Sequence, residues 1–244
     1  MSKPGHHTKS SSNGVVHREI AMEEKFKLDR QTIALRAAKE FQDGNSVNLG
    51  IGIPVLCANY LPAGREVLFQ SENGILGFGE VTAPGEGDPD LLNASGQTVH
   101  PRPGMSCFGH AESFTMIRGG HLDISVMGGF QVSEKGDLAN YMVPERKIGV
   151  IGGAMDLAYG AKRKIILMNH ITKTGEPRIL KKCTYPITAM ECVNLIVSDI
   201  AVIEVTDKGM VLKEVAPGWT PEEVQQLTEP TLIVDPDCHD IELM

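Results

Sequence analysis

Two glycine-paired turns constrain this chain more than any other feature. A short apolar run, Ser46-Val47-Asn48-Leu49, ends on Gly50-Ile51-Gly52-Ile53-Pro54. A second run, residues 147–151, ends on Gly152-Gly153-Ala154-Met155-Asp156. Helical patterns follow both turns, and Pro54 suits a first helical position. Turns of this kind leave backbone N–H groups unpaired at a helix start, where negative charge is favoured. Strand, glycine turn, helix, strand is the opening of an open, doubly wound, mostly parallel α/β sheet with flanking helices. A β-hairpin near the C-terminus is expected from residues 201–205 and 210–215 across Thr206-Asp207-Lys208-Gly209.

The remaining elements fall in order. Asp29 reads as an N-cap, Ile33, Ala34, Ala37, Ala38 and Phe41 have helical spacing, and Gly44 reads as the residue closing that helix. A short helix is expected over 55–61 and a strand over 66–69. Residues 112–118 read as a helix stopped by Gly119-Gly120. Strands are expected over 122–126, 147–151, 164–168 and 231–234. Thr220-Pro221-Glu222-Glu223 is a capping box. Residues 80–103 are rich in Pro, Gly and acid and read as a long loop, placed to act as a lid. Residues 1–27 read as a disordered tail, 28–234 as a single α/β domain, and 235–244 as an acidic tail.

Between these elements, Phe69-Gln70-Ser71-Glu72-Asn73-Gly74 carries the most chemistry. Asn-Gly is a strong turn signal, because both residues tolerate φ > 0. Glu72 therefore sits where a strand ends, the edge at which open α/β sheets bind ligands. The bland reading is a solvated turn residue. Two glycine turns flanking one crevice with a carboxylate argue for a site.

Composition narrows the classes. With 244 residues there is room for one large α/β domain or two small ones. A net charge of −8 argues against a nucleic-acid surface. The five cysteines are widely spaced with no C-x-x-C, which reads as free thiols in a reducing compartment, the cytoplasm by default. No apolar run is long enough to span a membrane, and the N-terminal stretch has no secretory h-region. There is no Walker P-loop and no nucleophile elbow. His100, His110, His121 and His170 lack metal-ligand spacing, so no metal site is expected and hydrogen-bonded structural roles are. One rival stands: Gly50-Ile51-Gly52-Ile53-Pro54-Val55 with Glu72 downstream approximates an NAD(P)-binding fingerprint of an oxidoreductase. Val55 stands where that motif has its third glycine.

Asn48-Leu49-Gly50-Ile51-Gly52-Ile53-Pro54 followed by Ser71-Glu72-Asn73-Gly74-Ile75-Leu76-Gly77 resembles the B-type (β) half of family I CoA-transferases, of the 3-oxoacid, 3-oxoadipate and acetate/butyrate kinds. The similarity continues through Ser113-Phe114-Thr115-Met116-Ile117-Arg118-Gly119-Gly120-His121, then Gln131-Val132, Gly136-Asp137-Leu138-Ala139-Asn140 and Gly152-Gly153-Ala154-Met155-Asp156-Leu157. The resemblance implies the NagB/RpiA/CoA-transferase-like fold. It implies Glu72 as the nucleophile, Gly153 as a backbone oxyanion donor, and Asn48, Gly50, Gly52, Asn73 and Gly152 around the CoA thioester. It further implies a ping-pong transfer through a glutamyl-CoA thioester, coenzyme A as substrate with no resident cofactor, and an A-type partner in a heterodimer or α₂β₂ assembly. A catalytically silent partner chain is the third reading, and the intact Ser-Glu-Asn-Gly argues against it.

Overall fold

A computed structural model describes residues 25–146 and 148–242. Most of the expected N-terminal tail, residues 1–24, and Lys147 of the expected 147–151 strand lie outside the described residues. In chain order the elements are α1 (Arg30–Ala38), β1 (Ser46–Leu49), a 3₁₀ segment (Pro54–Tyr60), β2 (Leu68–Ser71), β3 (Ile75–Val81), β4 (Val99–Cys107), α2 (His110–Arg118) and β5 (Ile124–Gly128). Four short strands follow, β6 (Gln131–Ser133), β7 (Leu138–Ala139), β8 (Met142–Val143) and β9 (Ile148–Gly149). Then come α3 (Ala154–Gly160), β10 (Arg163–Met168), β11 (Ile179–Leu180), β12 (Leu195–Ser198), β13 (Ala201–Thr206), β14 (Gly209–Val215), α4 (Pro221–Gln226) and β15 (Leu232–Asp240).

One sheet of ten strands dominates, in the order β15-β14-β13-β12-β10-β5-β1-β2-β3-β4. Its central strands, β2, β1, β5, β10 and β12, are all parallel. They are short and apolar because helices or other chain cover both faces. The flanks turn antiparallel, through the β2–β3–β4 ribbon on one side and the expected β13–β14 hairpin on the other. Helix α1 lies against β10 and β12, while α2 and α3 pack on each other. Asp29 caps α1 by accepting from the Thr32 N–H at 2.8 Å, and Ile33, Ala34, Ala37 and Ala38 are buried beneath it.

Several expectations needed correction. Helix α1 ends at Ala38 rather than running to Gly44, whose positive φ of 78° serves the next turn. The segment over 55–61 is 3₁₀, not α. Residues 80–103 are not one loop: β3 runs to Val81 and β4 begins at Val99, leaving 82–98 as the connection. Pro101 and Pro103 hid β4, yet an edge strand tolerates proline, and most of β4 is exposed. The strand expected to end at Val234 continues to Asp240, paired in parallel with β14 across a register shift. Its acidic residues read as a tail, but charge on an edge strand is a common guard against aggregation. Strand β12 in the sheet centre and the small β6, β7, β11 sheet were not anticipated.

Candidate active site

Glu72 stands at the tip of the β2–β3 hairpin. Ser71 pairs with Ile75, and the Gly74 N–H returns to the Ser71 carbonyl at 3.0 Å. Gly74 has φ of 114°, and a Cβ there would collide with the Phe108 carbonyl. The turn thus requires glycine twice over, for its backbone angle and for the chain packed against it.

Gly153 caps α3 from the far side of the crevice. A Cβ on Gly153 would overlap Glu72 Oε2 and the Phe114 ring. The carboxylate therefore lies directly on the Gly153 backbone, in space that only a glycine leaves open. The Gly153 N–H makes no hydrogen bond among the described residues. Gly152 holds a positive φ of 49°, which swings the chain into the helix start.

Both turns open on a cleft of about 610 Å³ lined by Asn48, Gly50, Gly52, Glu72, Gly152 and Gly153 among others. Six of the seven site residues read from the sequence therefore meet in one place. Asn73 does not join them: it is exposed, and its side chain donates to the Leu92 carbonyl at 2.7 Å, tying the 82–98 connection to the Glu72 turn. Gly50 donates to the Val126 carbonyl at 2.9 Å, so β1 and β5 stay paired to the cleft's edge.

The Glu72 carboxyl is half-buried, and burial holds its pKa above the ordinary carboxylate value. The positive form of His110 opposes that shift, and Asp156 adds to it. The His110 ring packs against Phe114 at a tilt of 51° with centroids 4.7 Å apart, and Asp156 accepts from Arg118 Nε at 2.6 Å.

Beneath the turn runs a buried polar chain. Asn48 Nδ2 donates to Gln70 Oε1 at 2.5 Å, and Gln70 Nε2 donates to Ser113 Oγ at 2.7 Å. Gln70, Ser113 and Phe114 were given no site role from the sequence, and His110 was read as a structural histidine. His110, Ser113 and Phe114 share one face of α2 at i, i+3 and i+4, but no spacing joins that helix to Gln70 on β2. A glutamine in a buried strand just before the turn was the one available signal. His170 proves structural, as expected: it is fully buried with its ring nitrogens 2.9 Å from Ser198 Oγ and 2.8 Å from Thr228 Oγ1.

The crevice thus presents a half-buried carboxylate, seated on a glycine turn, to any ligand that enters it. The coenzyme A transferase family profile matches residues 30–227. The B-type subunit of 3-oxoadipate CoA-transferase from Pseudomonas putida KT2440 is 50% identical over 208 residues, covering 85% of this chain and 97% of that protein. The mitochondrial succinyl-CoA:3-ketoacid coenzyme A transferase 2B of Mus musculus is 48% identical over 210 residues, covering 85% of this chain but only 40% of that one. Among solved structures, an acyl-CoA transferase apoenzyme from Escherichia coli O157:H7 superposes with a TM-score of 0.70 at 18% identity, over 89% of this chain and 45% of that chain. The chain belongs to the coenzyme A transferase family, as a B-type member of family I. It is a CoA-transferase of the 3-oxoacid B-type kind, and the dinucleotide reading of the Gly50/Gly52 turn is set aside.

Proposed function

We propose that this chain supplies the nucleophile for moving CoA between an acyl-CoA and a short-chain or 3-oxo carboxylic acid, by a ping-pong route through Glu72. The observation that carries this reading is the Glu72 carboxylate lying on the Gly153 backbone inside the cleft. Glu72 Oε attacks the thioester carbonyl carbon. The C–S bond breaks, CoA leaves as thiolate with the electron pair, and an acyl-glutamyl anhydride forms. The thiolate then attacks the glutamyl carbonyl carbon and expels the first carboxylate, leaving a glutamyl-CoA thioester. A second carboxylate reverses both steps. Each tetrahedral species carries an oxyanion, and the unpaired Gly153 N–H is the donor we assign to it, a contribution typically worth ~10²–10³ in rate. Coenzyme A is a substrate here, and the steps balance without a metal, nucleotide or redox group.

The named relatives act with succinyl-CoA and a 3-ketoacid, or with 3-oxoadipate, which supports a 3-oxo acid as one partner. The mouse relative is more than twice as long as the segment this chain matches, and the bacterial one is named as one subunit of its enzyme. We therefore place an A-type chain across the cleft, in a heterodimer or α₂β₂. Ile51 and Val150, 69% and 80% exposed on the cleft lining, give that partner an apolar rim. Five free cysteines and the absence of a long apolar helix among the described residues accord with a cytoplasmic setting.

The test is an acyl-CoA:carboxylate transfer assay with the A-type chain present. Glu72→Ala should be inactive. Glu72→Asp should fall by ~10²-fold or more, because it withdraws the carboxylate by about 1 Å. Wild-type rates in either variant would remove Glu72 from the mechanism.

A further inference from the structure

Resting on the transfer reading of this cleft, we propose that Asn48 presents its amide carbonyl to the substrate, to accept a hydrogen bond from an N–H of the thioester's thiol arm. Gln70 is the positioning residue that turns it. Asn48, Gln70 and Ser113 are each at most 1% exposed. Asn48 Nδ2 lies 2.5 Å from Gln70 Oε1 and 3.3 Å from the Gln70 backbone carbonyl. A backbone carbonyl only accepts, so the Asn48 atom facing it is the nitrogen. Gln70 is oriented in turn by Ser113 Oγ, which receives its Nε2–H at 2.7 Å and reaches the Ser71 carbonyl at 3.5 Å.

Both amide hydrogens of Asn48 are thereby directed at Gln70. Its Oδ1 has no hydrogen-bond partner among the described residues. Nor is it sealed away: among the described residues the buried side-chain polar atoms without partners are Ser71 Oγ, Ser95 Oγ and Ser125 Oγ. Asn48 lines the cleft, so the unpaired acceptor opens onto it. An acceptor held this deep calls for a donor, and an oxyanion cannot be one. The donor nearest the sulfur of coenzyme A is the amide N–H of its cysteamine unit, three bonds away, or ~4 Å in an extended chain. Asn48 stands opposite Gln70, one strand over and two residues short of Glu72. At ~4.8 Å between strands and ~3.3 Å per residue, that places its backbone ~8 Å from the nucleophile's. A thiol arm leaving the Glu72 carbonyl passes within reach of the side chain.

The probes are acyl thioesters of N-acetylcysteamine and of O-acetyl-2-mercaptoethanol, which match in length and differ by N–H against O. The full chain with its A-type partner is mixed with each, and the rate of covalent thiol adduct is read by intact mass. Wild type should favour the amide thioester by about tenfold or more, because a site built to pair with an N–H rejects the analogue lacking it. In Asn48→Ala and Gln70→Leu that preference should shrink to within about twofold, through loss on the amide thioester alone. No preference in wild type, or equal slowing of both thioesters in the variants, overturns the assignment; the wild-type ratio stands whether or not the variants fold. Acyl-CoA itself is the control. An adduct with CoA but no N–H preference overturns the Asn48 assignment alone, whereas no adduct with any thioester overturns the transfer reading and this assignment with it.

Discussion

At the scale of single residues, the proposed mechanism needs Glu72 ionised, yet its surroundings resist ionisation. Burial lifts its pKa, the positive form of His110 lowers it, and Asp156 lifts it further. A carboxylate of raised pKa is a better nucleophile once ionised, so under the proposed mechanism charge lost at low pH is offset by reactivity at neutral pH. The acid limb of kcat/KM should therefore lie above the ordinary carboxylate range. Removing the group that lifts the pKa, in Asp156→Asn, should move that limb to lower pH. Removing the group that lowers it, in His110→Ala, should move it to higher pH. A pH–rate profile for each variant decides the point; shifts in the same direction would show that these neighbours act by geometry rather than charge.

At the scale of elements, α1 is held to the sheet by a buried ion cluster. Arg36 donates to Glu214 on β14 through Nε at 2.7 Å and Nη2 at 2.5 Å, and to Glu40 through Nη1 at 2.8 Å. Arg163 on β10 meets the other Glu40 oxygen at 2.8 Å. Breaking such a pair strands a buried charge, so Arg36→Met should cost ~3–5 kcal/mol in urea unfolding. Adding Glu214→Leu should restore much of that loss, because removing both partners removes the stranded charge as well. An Arg36→Met chain as stable as wild type would mean that apolar packing alone seats α1.

Much of this was legible in the sequence, for physical reasons. Glycine turns, the Asp29 and Thr220 caps and the Glu72 turn are local chemistry, fixed by a few neighbouring residues. The sheet's central alternation of strands and helices follows from apolar runs broken at those turns. What escaped is what depends on pairing across the chain. Strand β4 carries proline and little alternation, and it is a strand because β3 hydrogen-bonds to it. The last strand continues through Asp235–Asp240 because β14 offers it an edge and Lys213 pairs with Asp235. The Gln70–Ser113 bond joins residues 43 apart, and nothing in local spacing announces it.

At the scale of the whole molecule, the proposed function makes this chain one half of a reaction centre. The Glu72 hairpin, at the end of parallel strand β2, and the Gly153 turn, which follows the small β8–β9 pair, meet at one open cleft, with exposed Ile51 and Val150 on its lining. A permanent partner interface commonly buries ~2,000 Å² or more, and an A-type chain over this face would close the cleft from water. The most direct measurement is peptide mapping after mixing the chain with acyl-CoA, once alone and once with the A-type chain. With the partner present, the peptide containing Glu72 should gain the mass of CoA less one water, and the chain alone should gain far less. An adduct on any other residue, or efficient transfer with Glu72 never modified, would contradict the assignment of Glu72 as the covalent centre.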